Sequence, residues 1–233
     1  MIPPRLSLQK PKGSATLLII MLLFWGCPYA GAQNLIGVRS GYAISGIDFQ
    51  FNSDPKNVTT PISFSLLYTH YHPMWKLFPY FGIQTGVTYA EQGFSMPNSF
   101  SPEELVDVTR YRVVSIPVVS QFHIDFWRFR LLANIGAFGG YRLSAKEWIY
   151  TNSEDRVKKD YVYDCYDTRP DFGFIGGGGL AFKMKHFEVQ FECNYQYSLS
   201  MLYNPRKYSN LYYIYVYPHQ LTFSLGLFVP LSK

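Results

Sequence analysis

The stretch Phe187–Ser198, FEVQFECNYQYS, alternates between two kinds of side chain almost without error. Its apolar or aromatic members are Phe187, Val189, Phe191, Cys193, Tyr195 and Tyr197. Its polar members are Glu188, Gln190, Glu192, Asn194, Gln196 and Ser198. A period of two predicts a β-strand with one apolar and one polar face. The direction of the apolar face then decides the fold class, because a soluble barrel turns it inward and a membrane barrel turns it outward.

The same alternation recurs along the chain and predicts eight strands joined by alternating short and long connections. The predicted strands are Leu35–Phe51, Pro61–Tyr71, Phe78–Gly93, Thr109–Ile124, Arg128–Ala145, Asp171–Lys183, Phe187–Ser198 and Tyr213–Leu231. The long connections are Asn52–Thr60, Phe94–Val108, Lys146–Pro170 and Tyr203–Tyr212. Each long connection follows an odd-numbered strand. All of them therefore lie at one end of the sheet, and both termini lie at the other.

Strand length and ring size favour a barrel with its apolar face outward. Most of these strands are much longer than the 5–6 residues common in globular sheets, and a membrane strand needs about 9–11. The interior of an eight-stranded barrel is just wide enough for side chains to fill, and rings such as Phe122 and Phe191 would overfill it. We therefore predict an all-β, eight-stranded antiparallel up-and-down transmembrane β-barrel. A soluble, periplasmic lipocalin-like binding barrel, with the apolar face inward, is the alternative.

The polar faces of the predicted barrel carry charges of both signs, which suit a lumen that pairs them internally. The predicted lumen network consists of Arg128, Arg130, Arg142, Glu188, Gln190 and Glu192.

The hairpin of the sixth and seventh strands contains the run Gly176–Gly179 in mid-strand. Pairing Phe182 with Phe187 places Phe191 opposite Gly178. Glycines there allow curvature, and large rings cover the exposed backbone. A phosphate-binding interpretation is not favoured, because no Lys-Ser/Thr pair follows the run and no helix begins after it.

The N-terminus has the features of an export signal. Three basic residues, Arg5, Lys10 and Lys12, precede the apolar run Ala15–Gly26, which is too short for a membrane span of about 20 residues. Small residues follow, and we expect cleavage near Ala32 or Gln33. Residues 1–33 are then a signal peptide and residues 34–233 the barrel. A lipoprotein signal at Cys27 is the alternative.

The composition is typical of an exported membrane barrel and disfavours nucleic-acid binding. Charged residues make up 16% of the chain, against about 25% in average proteins, and aromatic residues make up 18%. Aromatic residues are enriched at membrane interfaces. The formal net charge of +5 falls by three when the signal is removed, and no basic block remains for DNA or RNA.

The long connections are the expected place for recognition, since loops held by a rigid scaffold usually carry it. Tyrosines are concentrated there and suit contact with a protein or a glycan, or an outer aromatic girdle. The binding candidates are Tyr150, Tyr161, Tyr163, Tyr166, Tyr203, Tyr208 and Tyr212.

Signals for enzymatic or metal chemistry are weak. Ser200 and His219 can be paired as nucleophile and base, but no oxyanion motif accompanies them. His70 and His72 share a strand face, yet no third zinc ligand lies nearby in the sequence. The acidic residues of the longest loop lack the regular spacing of a calcium loop. We therefore predict no enzyme activity, no cofactor and no metal.

Several short motifs, in order along the chain, resemble the PorT-like outer-membrane β-barrel domain of Gram-negative (Bacteroidetes-type) bacteria. They are Ile36–Gly41, Phe81–Gly93, Val114–Val118, Asn134–Tyr141, Asp171–Gly173 and Leu225–Leu227. The resemblance implies an eight-stranded barrel in the outer membrane. The family's namesake is tied to protein secretion and gliding, which implies an accessory role in secretion or surface assembly.

These observations lead to one main functional hypothesis and one further alternative. The main hypothesis is a non-enzymatic outer-membrane protein with both termini periplasmic and a structural or loop-mediated binding role. Its partners are outer-membrane lipid and, through the long loops, another envelope protein or a glycan. The further alternative is a small-solute pore, although only barrels of about 16–18 strands enclose an aqueous channel.

Overall fold

The computed structural model describes residues 33–49, 55–74, 78–97, 106–151, 155–207 and 215–231. Within these ranges the chain forms nine strands: β1 Gln33–Phe49, β2 Lys56–Met74, β3 Phe78–Pro97, β4 Val106–Phe126, β5 Phe129–Thr151, β6 Asp155–Tyr161, β7 Pro170–Lys183, β8 Glu188–Ser198 and β9 Val216–Pro230. The same ranges contain no helix of the length and apolarity that crossing a membrane would require.

Eight of the strands close into a ring. Each is hydrogen-bonded to its neighbours in the order β4-β3-β2-β1-β9-β8-β7-β5, and β5 returns to β4. All pairings are antiparallel, and β1 closes against β9 from Leu35↔Pro230 to Phe49↔Val216. Closure leaves none of the eight with a free edge over the paired length, which satisfies the backbone hydrogen bonds that lipid cannot. The predicted eight-stranded barrel is confirmed.

The alternation in burial shows that the apolar faces point outward. Phe191 and Ile116 are 53% and 55% exposed, whereas Gln190 and Glu192 are each 1% exposed. A soluble barrel would show the reverse. The lipocalin-like alternative is therefore wrong, because the large apolar side chains form an outer belt suited to acyl chains.

The connection predicted as loop Lys146–Pro170 is partly a hairpin, so that prediction is corrected. β5 continues to Thr151 and pairs with β6 from Ala145↔Tyr161 to Thr151↔Asp155. This hairpin extends beyond the ring and carries charged residues on both faces, as in the sequence DRVKKDY of β6. Because β6 has no apolar face, its sequence lacks the alternation of apolar and polar residues from which a strand is predicted.

The register of the β7–β8 hairpin differs from the prediction by two residues. Phe182 pairs with Val189 rather than Phe187, and Gly178 pairs with Cys193 rather than Phe191. A shift of two keeps each side chain on its predicted face. The glycine run has no side chains to discriminate between the two registers. The turn Met184–Phe187, in which the Met184 N–H donates to the Phe187 carbonyl over 2.8 Å, fixes the observed pairing.

The lumen is not wholly polar, which the alternation did not predict. Near the end with the short turns, Leu35, Leu67, Tyr71 and Phe228 form a buried apolar cluster. A second cluster joins Val119, Phe138 and Ile175. These side chains help to fill the narrow interior alongside the polar network.

Candidate functional site

Arg130 on β5 organises the lumen near the short turns. It donates to both carboxylate oxygens of Asp125, over 2.7 Å from Nε and 3.2 Å from Nη2, and from Nη1 to Glu188 Oε2 over 2.9 Å. Lys183 Nζ lies 2.9 Å from Asp125 Oδ2, and the guanidinium lies 4.5 Å from the centre of the Tyr71 ring. Charges can be buried at acceptable cost when they are paired and make further hydrogen bonds. This cluster fills the short-turn end of the barrel.

Glu192 on β8 organises the middle of the lumen. Its Oε1 accepts from Arg39 Nη2 over 2.9 Å, and its Oε2 accepts from the amides of Asn134 and Asn194, each over 2.8 Å. Arg39 also donates to Gln84 Oε1 over 2.6 Å. The network thereby joins β1, β3, β5 and β8 across the barrel.

The cavity beside this network is small. Its volume is about 40 Å³, and Arg39, Gln84, Asn134 and Gln220 are among the residues that line it. Such a volume accommodates about three water molecules. The side chains of this network therefore leave little free space in the middle of the lumen.

Five of the six predicted lumen residues lie inside the barrel: Arg130, Arg142, Glu188, Gln190 and Glu192. Arg128 does not, and its assignment is corrected. It lies exposed in the turn between β4 and β5, with its guanidinium 5.4 Å from the centre of the Trp127 ring. The fifth strand was predicted to begin at Arg128, one residue too early, because β5 begins at Phe129.

Arg142 ties two long loops to the barrel wall. A bulge at Leu143, between the pairs Val113↔Arg142 and Arg112↔Ser144, precedes the outer hairpin. The fully buried guanidinium pairs with Asp171 over 2.8 Å. Its Nη1 also donates to the carbonyls of Thr168, Pro170 and Met201 over 2.7, 3.2 and 3.4 Å. One side chain therefore holds both segments, 162–170 and 199–207, which we call the loop cap.

Lys207 fastens the outer side of the loop cap. Its ammonium contacts Asp167 and the Tyr161 hydroxyl, and lies 3.4 Å from Asp164 Oδ2. It also lies 4.6 Å from the centre of the Tyr203 ring. Two backbone hydrogen bonds also join the segments. The Thr168 N–H donates to the Leu202 carbonyl over 3.1 Å, and the Asn204 N–H donates to the Tyr166 carbonyl over 2.7 Å. The two segments are thus cross-linked by side chains and by backbone.

Ionisation favours this arrangement at neutral pH. Desolvation raises the pKa of Asp164, but the hydrogen bond from the Tyr166 N–H and the positive charge of Lys207 together lower it below its ordinary value. Asp164 is therefore a carboxylate that attracts the Lys207 ammonium. Burial raises the pKa of the Tyr163 phenol, which stays neutral.

An apolar cluster packs against the loop cap and closes the mouth of the barrel at the long-loop end. Leu202 and Tyr203 of the cap pack with side chains of β1, β3, β4, β5 and β9. Those side chains are Ile47, Phe94, Tyr111, Val113, Ala145 and Val216, with Met96, Tyr161 and Tyr163 at the margin. Their burial holds the cap down as well as sealing the mouth.

The predicted loop tyrosines have different surroundings. Tyr203 is buried, and Tyr161 and Tyr163 are half-buried at the edge of the apolar cluster. Tyr166 is exposed on the outer surface of the cap. The side chain of Tyr150, and residues Tyr208 and Tyr212, lie outside the part of the chain that the structure describes.

The sequence reasoning missed Arg39, Asp125, Asp167, Asp171 and Lys207 as members of these networks. Arg39 and Asp171 have a signal in the sequence, because each occupies the polar face of a predicted strand. Lys207 and Asp167 have none, since their contact joins two loops 40 residues apart in sequence.

The enzymatic and metal candidates are not assembled here. The Ser200 hydroxyl donates to Asp171 Oδ1 over 2.9 Å and accepts from Arg142, while His219 lies 3.5 Å from Asp48. The rings of His70 and His72 stack 5.9 Å apart, and Asn34 bonds to His70. No group of three or more potential metal-ligating side chains occurs within the described ranges.

Solved structures of small outer-membrane proteins are similar to this chain at low identity. The attachment invasion locus protein Ail of Yersinia pestis, solved with the heparin analogue sucrose octasulfate, is 17% identical, over 85% of this chain and 99% of that chain, with a TM-score of 0.41. Neisserial surface protein A is 11% identical, over 86% and 99%, with a TM-score of 0.42. The N-terminal β-barrel domain of Pseudomonas aeruginosa OprF is 10% identical, over 84% and 98%, with a TM-score of 0.35.

No curated protein matches the chain significantly. A family profile described as an outer membrane protein beta-barrel domain matches residues 31–204, which is most of the chain and includes β1 to β8. The outward apolar belt and the closed ring agree with that match, and the chain belongs to this family of outer-membrane β-barrel domains.

Proposed function

We propose that this chain is a non-enzymatic outer-membrane protein that binds a partner through the outward surface of its loop cap. Residues 1–33 are removed as a signal peptide on export, and both termini face the periplasm. Long loops are extracellular and short turns periplasmic in barrels of this kind. The partner is another envelope protein or a glycan that contacts the outer surface around Tyr166.

The observation that carries this proposal is the double fastening of the loop cap by Arg142 and Lys207. A surface already held in one conformation loses little entropy when it binds, so pre-organisation raises affinity. Between these anchors the cap exposes Val162, which is 82% exposed, and Tyr166, which is 46% exposed. An aromatic and an apolar side chain on a rigid, polar rim are typical of a binding surface.

The filled lumen argues against the pore alternative. The Arg130 and Glu192 networks and the outer apolar cluster each obstruct the barrel. We expect no steady open channel when the purified protein is inserted into planar bilayers. A stable unitary conductance would favour the pore instead.

Site-specific crosslinking tests the binding role. A photo-crosslinking amino acid at Tyr166 is expected to capture a defined partner in native membranes, and the same group at the belt residue Leu131 is expected not to. Lys207→Met removes the ammonium that joins Asp167 and Asp164, and should weaken the capture because the cap is no longer held. The exposed turn residue Lys185, changed to Met, is the matched control. Identical products from positions 166 and 131, or no effect of K207M, would contradict the proposal.

Within the wider family, we propose that the chain is PorT-like and that its binding serves secretion or surface assembly. The ordered motifs from Ile36–Gly41 to Leu225–Leu227 support this. Deletion of the gene should then reduce exported or surface-attached protein, and a chain with the Y166A and V162A changes should fail to restore it while still inserting. Full secretion in the deletion strain would remove this specific form of the role.

A further inference from the structure

A basic surface lies on the outside of the barrel wall, on β4 and the adjoining β5–β6 hairpin. Along β4, residues 111 to 123 with odd numbers are buried inside, so Arg110 and Arg112 lie on the same outward face as Ile116 and Val118. Lys146 is the strand partner of Arg110, and partners in a sheet share a face. The outward face of β4 and β5 near the long loops is therefore cationic.

Trp148 and Lys158 extend this surface onto the β5–β6 hairpin. Trp148 pairs with Lys158 across the hairpin. The Arg110 guanidinium lies 5.3 Å from the centre of the Trp148 ring, and the Lys158 ammonium lies 5.6 Å from it. The indole thus holds two cations side by side. We call Arg110, Arg112, Lys146, Trp148 and Lys158 the basic wall.

The height of the basic wall relative to the apolar belt follows from strand geometry. A strand tilted by about 40° rises about 2.6 Å per residue along the membrane normal, so a belt about 25 Å tall spans about ten residues. Counted from Phe129 beside the short turn, about ten residues reach Gly139, and exposed apolar side chains continue to Tyr141, whose strand partner is Val114. Arg112 and Arg110 then lie about 5 and 10 Å beyond that edge. This is the level of lipid headgroups.

The acids near the basic wall do not neutralise it. Glu91 lies 3.7 Å from Arg110 and 4.0 Å from Arg112, and Asp160 lies 3.9 Å from Lys146. Four cations therefore face two carboxylates, both at long distances. Arg guanidinium groups bind phosphate through paired N–H donors, so the excess of cations suits that anion.

We propose that the basic wall binds the phosphate groups of a phosphorylated glycolipid in the outer leaflet. The position at headgroup height, the excess of positive charge and the interfacial Trp148 together select this ligand over a soluble protein. The choice of leaflet rests on the sidedness proposed above, but the site is independent of partner binding at the loop cap.

Binding of a defined glycolipid to the purified mature barrel tests the proposal. The probe is a diphosphorylated lipid A-type disaccharide glycolipid added to protein in zwitterionic detergent, with bound lipid counted by native mass spectrometry. The triple variant R110Q/K146Q/K158Q should bind about tenfold more weakly or worse, since each basic group near a lipid surface contributes. The control R128Q/K159Q/K185Q removes three exposed charges elsewhere and should bind as the wild type does.

A second variant guards against loss of folding. E91Q removes the competing carboxylate and is expected to strengthen binding, which a merely damaged barrel would not do. Folding of every variant is checked by the faster migration of unheated barrels in SDS gels.

Three results would overturn the proposal. They are unchanged binding by the triple variant, equal binding of the same glycolipid without phosphates, and equal competition by phosphatidylglycerol. If glycolipid binding fails although the long loops are shown to be extracellular, the proposed lipid site is wrong and the proposed function is unaffected.

Discussion

Glu192 shows how a charge is kept inside this barrel. Its side chain is 1% exposed, and its two oxygens accept from one guanidinium and two amides. A buried carboxylate is tolerable only when it is paired and its lone pairs are satisfied. Arg39 lies on the polar face of β1, so its pairing with Glu192 also joins β1 to β8.

Changing Glu192 to Gln should lower the free energy of unfolding by about 3 kcal/mol. The amide has only one acceptor oxygen, so either Arg39 or the two asparagines lose their acceptor. Urea unfolding of the protein in lipid vesicles measures the change. Asp160→Asn is the control, because an exposed side chain at the surface should change stability by less than about 0.5 kcal/mol. Equal stability of the wild type and E192Q would show that the network does not hold the barrel.

At the scale of elements, β7 illustrates close approach between strands. A Cβ at Gly177 would clash with the Cys193 carbonyl oxygen, whereas a Cβ at Gly176 would meet nothing within 4 Å. Gly177 faces Asn194 across the hairpin, and Gly176 faces Tyr195. Of these two adjacent glycines, only Gly177 has a neighbour that leaves no room for a side chain.

Gly177→Ala should cost about 1–3 kcal/mol of unfolding free energy because the backbone must shift to admit the methyl group. Gly176→Ala, which points its methyl group into open space, should be close to neutral. Thermal or urea unfolding of both variants in the same vesicles gives the comparison. A larger loss from G176A than from G177A would contradict the hairpin register.

The elements also show what sequence reasoning reaches and where it stops. Alternation identifies strands such as Phe187–Ser198 because lipid demands an apolar face. It does not identify β6, which projects beyond the lipid and has no such face. It does not reveal the bulge at Leu143 or the contact of Lys207 with Asp167, because both depend on residues brought together only by the closed fold.

At the scale of the whole molecule, a cysteine can report on which side of the membrane the long loops lie. Cys165 is exposed in the loop cap, whereas Cys193 lies on the same outward face of β8 as the belt residues Phe191 and Tyr195. A charged maleimide that does not cross membranes should therefore label Cys165 on intact cells. Cys165→Ser should abolish the signal. Labelling that appears only after the outer membrane is permeabilised would reverse the proposed orientation.

The central claim is that the apolar faces contact acyl chains while the polar faces fill a closed lumen. The most direct measurement is spin-label collision with oxygen along β4, in bilayers, in a C165S/C193S background. Oxygen concentrates in the acyl region, so labels at Ile116, Val118 and Phe122 should relax fast, and labels at Ser115, Val119 and Gln121 should relax slowly. A uniform profile, or fast relaxation at 115, 119 and 121 instead, would contradict the account.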